Sequence, residues 1–133
     1  MSDIQTLIDK ARGLAKHRDL SDTAGAGKVA AALITEKGRF FEGVCIDTSC
    51  SMGFCAEHNA IGTMLTECEE TRIAMVVAVK QDGRILSPCG RCREFIMQIN
   101  PDNKDTVIIL ATDKTLPLKE LLPYYWRDES EVV

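Results

Sequence analysis

The chain has 133 residues, 45% of them hydrophobic, and a formal net charge of −4. That length suits one domain over residues 1–133 with enough apolar material for a core, and the acidic balance argues against a nucleic-acid footprint, which would be basic. No apolar run is long enough to span a membrane, and Met1-Ser2-Asp3-Ile4-Gln5 lacks the charged and apolar regions of an export signal.

Ile4, Leu7, Ile8, Ala11, Leu14 and Ala15 recur at helical spacing, so residues 2–17 read as a packing helix, with His17 near its end as a dipole partner. Ser2 with Gln5 resembles a capping box. Residues 21–28 are small and glycine-bearing, but no Gly-Lys-Ser/Thr follows; they read as a flexible loop bordering a pocket rather than a phosphate loop. Two apolar runs, residues 29–35 and 40–46, flank Glu36-Lys37-Gly38-Arg39 and read as a hairpin. A loop over residues 47–53 then leads to a central helix over residues 55–68, in which Gly62 is expected to mark close packing.

Residues 73–79 are continuously apolar and β-branched, as in a strand buried on both faces. After a turn at residues 81–84, residues 89–99 read as a second helix with Phe95, Ile96 and Ile99 on its apolar side. Pro101 ends that helix. Residues 106–110 form another buried strand, residues 116–122 a short helix or turn, and Pro123-Tyr124-Tyr125-Trp126 precede an acidic end expected to be loose. Strands alternating with helices predict an α/β fold with a parallel or mixed sheet covered on both faces.

Six cysteines without an export signal point to reduced thiols, a cytoplasmic setting, and metal or thiol chemistry rather than disulfides. Cys55 and Glu57 stand two residues apart; Pro88 precedes Cys89 and Cys92, which are spaced to project from the start of one helix. Three thiolates can hold one zinc ion and leave its fourth tetrahedral position for water. Helix starts favour the thiolate form and draw off some of its charge. Arg93 and His58 could add to this by donating to sulfur. Glu57, turned away from the ligands, could move protons between water and a substrate. A closed zinc site remains open as an alternative, with His58 or Cys68 as fourth ligand and no catalysis, in a zinc-stabilised binding module.

Cys55-Ala56-Glu57 with Pro88-Cys89-Gly90-Arg91-Cys92-Arg93 resembles the two zinc boxes of the cytidine deaminase family, and residues 29–33 resemble its first strand. The all-cysteine ligand set resembles the small homotetrameric branch. The resemblance implies a three-layer α/β/α fold with a mixed sheet of about five strands, one zinc per chain and a homotetramer whose sites are completed by neighbours. It also implies hydrolytic conversion of a 4-amino to a 4-oxo group on a nucleoside-like small molecule, with release of ammonia. Residues 85–93, Glu120-Leu121-Leu122-Pro123 and Trp126 are similar to the blasticidin S deaminases.

On this resemblance Glu57 is catalytic, Cys55, Cys89 and Cys92 are the metal ligands, and Pro88 and Arg93 support them. Cys45, Asp47, Ala56 and Trp126 are the substrate contacts. The family's ribose-holding Asn-x-Glu is replaced by Cys45-Ile46-Asp47, and its Tyr-Pro before the first box is missing near Ser51-Met52, so relaxed sugar selectivity is expected. An aminohydrolase of a different amino-heterocycle is the other enzymatic possibility.

Overall fold

A computed structural model of the protein describes residues 2–127. The acidic end expected to be loose lies largely outside them. Three helices, α1 (Asp3–Leu14), α2 (Ala56–Glu67) and α3 (Gly90–Ile99), accompany seven strands: β1 (Arg18–Ser21), β2 (Ala24–Thr35), β3 (Phe40–Thr48), β4 (Ile73–Lys80), β5 (Ile85–Leu86), β6 (Val107–Ala111) and β7 (Lys114–Pro117). β2 carries β3 on one edge, and on the other it carries β1 beside its start and β4 beside the rest. β4 in turn carries short β5 and then β6 on its far edge, and β7 closes beyond β6. The sheet is therefore five strands wide (β3-β2-β4-β6-β7), with β4–β6 parallel and its other pairs antiparallel.

Period-two alternation divides the core. Ala30, Ala32 and Ile34 of β2 and Val77 and Val79 of β4 pack with Leu7, Ile8 and Ala11 of α1. Ala31 and Leu33, with Val76 and Ala78, face the opposite way onto Ala60, Ile61 and Met64 of α2 and Ile96 of α3. The result is three layers, with α1 alone on one face and α2 and α3 on the other. Each fully buried Leu or Ile contributes about 1.5–3 kcal/mol of burial.

Several local expectations are corrected. α1 stops at Leu14, and His17 lies beyond it, with Nε2 2.9 Å from Asp19 Oδ1 rather than at a helix end. Only half of a capping box forms: Gln5 N–H donates to Ser2 Oγ, but the Gln5 side chain turns to Asp9. The expected loop at residues 21–28 is a β1–β2 hairpin, in which β2 kinks at Gly27 (φ 95°), where a Cβ would strike the Lys16 carbonyl. Of residues 116–122, Leu116 and Pro117 belong to β7, and the expected short helix is a 3-10 turn over Leu118–Leu121.

The close-packing glycine is Gly43 on β3, not Gly62, around which nothing lies within 4 Å. A Cβ at Gly43 would run into the backbone of Asn59 and Ala60, so α2 lies directly on β3 there. Asn59 Nδ2 donates to Val44 O (3.0 Å) at the same crossing. α3 is fixed from its other end by buried Asn103, which accepts from Ile73 N–H (2.9 Å) and donates to Ile96 O (3.0 Å).

Candidate metal and catalytic site

β3 delivers the chain to the site. Ile46 and Phe54 exchange both backbone hydrogen bonds (3.1 and 2.9 Å), pinching residues 47–53 into a loop in which Cys50 (φ 62°) and Ser51 (φ 57°) take the left-handed conformation. Cys55 follows at once as the residue that starts α2, in an extended conformation (φ −71°, ψ 156°) that throws its side chain off the helix end. Cys89 starts α3 in nearly the same conformation (φ −68°, ψ 166°), and Cys92 lies one turn along. Neither capping cysteine uses its side chain to cap its helix in the manner of Ser or Asp.

The two helix starts bring three sulfurs together. Cys55 Sγ lies 3.8 Å from Cys89 Sγ, Cys89 Sγ lies 3.5 Å from Cys92 Sγ, and all three are mutually within 4.8 Å. A tetrahedral zinc with Zn–S distances of about 2.3 Å needs sulfurs roughly 3.8 Å apart. The donor set therefore fits zinc in both chemistry and spacing.

Burial pushes the Cys55 thiol up, and it pushes Cys92 up further, with the Glu57 carboxylate adding to the effect. Cys89 is also opposed by burial, but donors that include the Cys92 and Arg91 backbone amides outweigh it and hold its thiol below the ordinary value. This is the helix-start stabilisation of a thiolate expected from the sequence. His58 is held below its ordinary pKa by burial and then by the Arg91 cation, so its imidazole is neutral at pH 7. It stacks on Phe95 (4.1 Å between centroids, 13°) and places Nδ1 3.5 Å from Cys92 Sγ, where the Nδ1–H tautomer donates to sulfur.

Neither alternative fourth ligand joins the triad. Cys68 ends the 12-residue α2, about 18 Å from its start, and its thiol donates to Met64 O instead. His58 supports Cys92 but is not among the residues lining the cavity.

Arg93 does not donate to sulfur, contrary to expectation. A helical side chain leans toward the N-terminus of its helix, and the Arg93 fork accordingly reaches Pro88 O (2.7 Å), Ser87 Oγ (3.0 Å) and Leu121 O (3.2 Å). It ties the loop before Cys89, with buried Pro88, to the C-terminal segment.

Beside the sulfurs is a cavity of about 640 Å³. Cys55, Ala56, Glu57, Cys89 and Cys92 form one side, and Cys45, Asp47, Ala78 and Lys80 line it from the strands. Glu57 is 5% exposed. Burial raises its pKa, partly offset by its own backbone N–H and by Cys92. Cys45 Sγ accepts from Val29 N–H (3.3 Å) and donates to Asp47 Oδ2 (3.6 Å).

Of the ten residues singled out from the sequence, Trp126 stands apart. It is 65% exposed, its Nε1 donates to Glu94 Oε1 (2.8 Å) on α3, and it does not line the cavity. Tyr125 OH joins it on Glu94 Oε2 at 2.6 Å. An indole N–H needs an acceptor, and Glu94 supplies it. Of residues 21–28, expected to border a pocket, Lys28 does line it, whereas sequence reasoning missed Phe54, Lys80 and Leu86. Lys80 was readable, since it continues the alternation of Val76 and Ala78 on the cavity face of β4.

Comparison with known proteins agrees with this geometry. Residues 1–110 match the family model described as the cytidine and deoxycytidylate deaminase zinc-binding region. The chain belongs to that family. Cytidine deaminase family members are hydrolytic zinc deaminases, and among the described residues the sulfur triad is a group that could hold the zinc. A Dictyostelium discoideum protein named "Probable cytidine deaminase" is 30% identical over 99 residues, which span 68% of this chain and 66% of that protein.

The cytidine deaminase of Mycobacterium tuberculosis shares the fold with a TM-score of 0.76 at 24% identity, over 93% of this chain and 97% of the other. That of Bacillus anthracis gives a TM-score of 0.71 at 25% identity, over 94% and 90%. The three-layer deaminase fold expected from the sequence is thus present. No helix among the described residues is long and apolar enough to cross a membrane.

Proposed function

We propose that this protein deaminates a cytosine nucleoside or a close analogue, replacing the 4-amino group by oxygen and releasing ammonia. The observation that carries the reading is a buried carboxyl, Glu57, on the wall of a cavity beside three sulfurs spaced for one zinc ion. Zinc held by Cys55, Cys89 and Cys92 would supply Lewis acidity and lower the pKa of a water to about 7.

The chain's own groups account for the proton traffic. Glu57 accepts a proton from the attacking water and passes it to the ring nitrogen next to the amino-bearing carbon. It then carries the second proton to the amine, which leaves as ammonia while the carbon–oxygen double bond forms. The raised pKa of Glu57 suits a group that must both take and give. Ala56, at the first position of α2 and on the cavity wall, offers backbone polar groups to the base. Arg93 keeps Pro88 and Cys89 in place by bonding three neighbouring segments.

Relaxed sugar selectivity, including blasticidin S-type substrates, is supported by Cys45 and Asp47 on the cavity wall, where a weak thiol donor and a short acid replace a stronger pair. A homotetramer acting in the cytoplasm as one domain over residues 1–133 remains part of the proposal. Exposed Met52, Phe54, Tyr124 and Trp126 support the assembly, being apolar and aromatic side chains of the kind enriched at interfaces.

The test is ammonia release from a panel of cytidine, deoxycytidine, blasticidin S, free cytosine and amino-purines. Turnover of one or more cytosine compounds is expected. Turnover confined to a purine or another heterocycle would move the reading to a different aminohydrolase, and no turnover at all would favour a zinc-stabilised binding module. Light scattering that shows only monomer at micromolar concentration would remove the tetramer.

A further inference from the structure

We propose that Cys89 and Cys92 form a reversible disulfide with each other on reaction with a small-molecule disulfide of the glutathione class. The modification withdraws two of the three sulfurs from the metal set. No substrate takes part, so the modification stands or falls apart from the deaminase reading.

The observation is that the two thiols are close together but unequally accessible. Their sulfurs lie 3.5 Å apart within the first turn of α3. Cys89 is exposed, whereas Cys92 is 1% exposed. A disulfide needs its sulfurs about 2.0 Å apart and its Cα atoms about 4.4–6.8 Å apart. Residues three apart in a helical turn have Cα atoms about 5 Å apart, so rotation of the side chains closes the gap without moving the backbone. The approach to Cys89 is open as well. Ser87, Gly90 and Arg91 around it are exposed, and nothing lies within 4 Å of a Cβ placed on Gly90. The Arg91 cation also favours the arrival of an anionic thiol compound.

Cys55 is the competing partner, with its sulfur 3.8 Å from that of Cys89. It belongs to the start of a different helix. Bonding it to Cys89 would draw α2 and α3 together, against the seat of α2 on Gly43 and the Asn103 bond that holds α3. Closure within one turn of α3 disturbs neither.

The chemistry balances as two successive exchanges. Cys89 Sγ attacks one sulfur of oxidised glutathione, the glutathione S–S bond breaks, and one glutathione leaves as thiolate. Cys92 Sγ then attacks the Cys89 sulfur, the protein disulfide forms, and the second glutathione leaves. Two protein sulfurs are oxidised, and one glutathione disulfide is reduced to two glutathione thiols. The two protons those thiols need come from the protein thiols or, where a metal held the sulfurs, from water. Cys55 alone then remains of the ligand set, too few for a zinc site.

The test treats the zinc-loaded protein with excess oxidised glutathione. A chromogenic chelator follows zinc, alkylation and intact mass count the free thiols, and peptide mapping locates the bond. Two of the six thiols should be lost, in a Cys89–Cys92 linkage, with zinc released in step. Dithiothreitol should restore both thiols and zinc uptake. Cys50→Ser, which removes the other exposed thiol, should respond in the same way. A Cys55–Cys89 linkage would overturn the inference. So would a lasting glutathione adduct on Cys89 with Cys92 still free to alkylate, or no change at either cysteine. Protein purified without zinc is read by the same alkylation and mapping, so the outcome does not hang on metal content.

Discussion

The two walls of the cavity are built by different rules. The metal wall comes from two helix starts, with Cys55 and Cys89 as capping residues and Cys92 and Glu57 buried. Backbone geometry aims these side chains: both caps share one extended conformation, and a β3 bridge and an α3 anchor set the distance between the helices. The strand wall comes from Cys45, Asp47, Lys28 and Lys80, where Asp47 and Lys28 are exposed and the buried Cys45 thiol bonds to Asp47. On the proposed function, chemistry belongs to the wall aimed by backbone geometry and selectivity to the wall built from strand side chains. Changes on the first should abolish function, while changes on the second should redirect it.

The comparison breaks hardest at the sulfurs. Cys92→Ala should lose bound zinc and lower the melting temperature, because metal binding is coupled to folding. Metal analysis and thermal melting of the purified variant check this. A variant with a full equivalent of zinc would take Cys92 out of the ligand set.

Glu57→Gln comes next. It should keep zinc and fold while kcat falls by at least about 10²- to 10⁴-fold. Burial raises the folded-state pKa of Glu57, so the folded chain binds more protons than the unfolded one between the two pKa values. Stability is then lost as pH rises from 4.5 through the raised value. The Gln variant avoids that loss, so at pH 7 and matched zinc content it should melt no lower than the parent, with any advantage shrinking toward pH 4.5.

A third effect is smaller and graded. Burial keeps Cys55 and Cys92 protonated through the neutral range, so zinc must displace at least two thiol protons. Zinc affinity should therefore fall by about two decades per pH unit on acidification. A chelator-competition titration between pH 8 and pH 6 measures the slope, and a flat profile would mean that the thiols are already ionised.

The smallest change sharpens the other wall. Cys45→Asn combined with Asp47→Glu should raise kcat/KM for cytidine relative to sugar-modified substrates by roughly three- to tenfold, the worth of one or two neutral hydrogen bonds. An unmoved ratio would mean that these residues, though on the wall, do not meet the sugar.

The metal wall was legible in the sequence because its information is local. Cys-x-Glu and Pro-Cys-x-x-Cys each fix side chains within one helical turn, and the apolar runs around them announce the helices and strands that carry them. The β1–β2 hairpin was not legible, since Ala24-Gly25-Ala26-Gly27 has no strand-like side chains, yet Ala24, Gly25 and Ala26 pair with both β1 and β3. Arg93 and Trp126 were misplaced for a related reason. Both bond across long sequence separations, to Leu121 and Glu94, which no spacing rule reveals. Gly62 and Gly43 show the same limit: composition marked the helical glycine, but only packing shows that the strand glycine is the one in contact.

Gly43 also changes how loss of function in this protein should be interpreted. It touches neither the sulfurs nor the cavity, yet it is the spacer of zero thickness on which α2 rests. A single added methyl would act as a shim, lifting the helix and swinging Cys55 and Glu57 out of register with a pair on α3 that has not moved. Natural variants that fail to hold metal therefore need not have lost a ligand. The defect can be inherited at a silent-looking position on a strand, and its signature would be an intact set of thiols that no longer close on one ion.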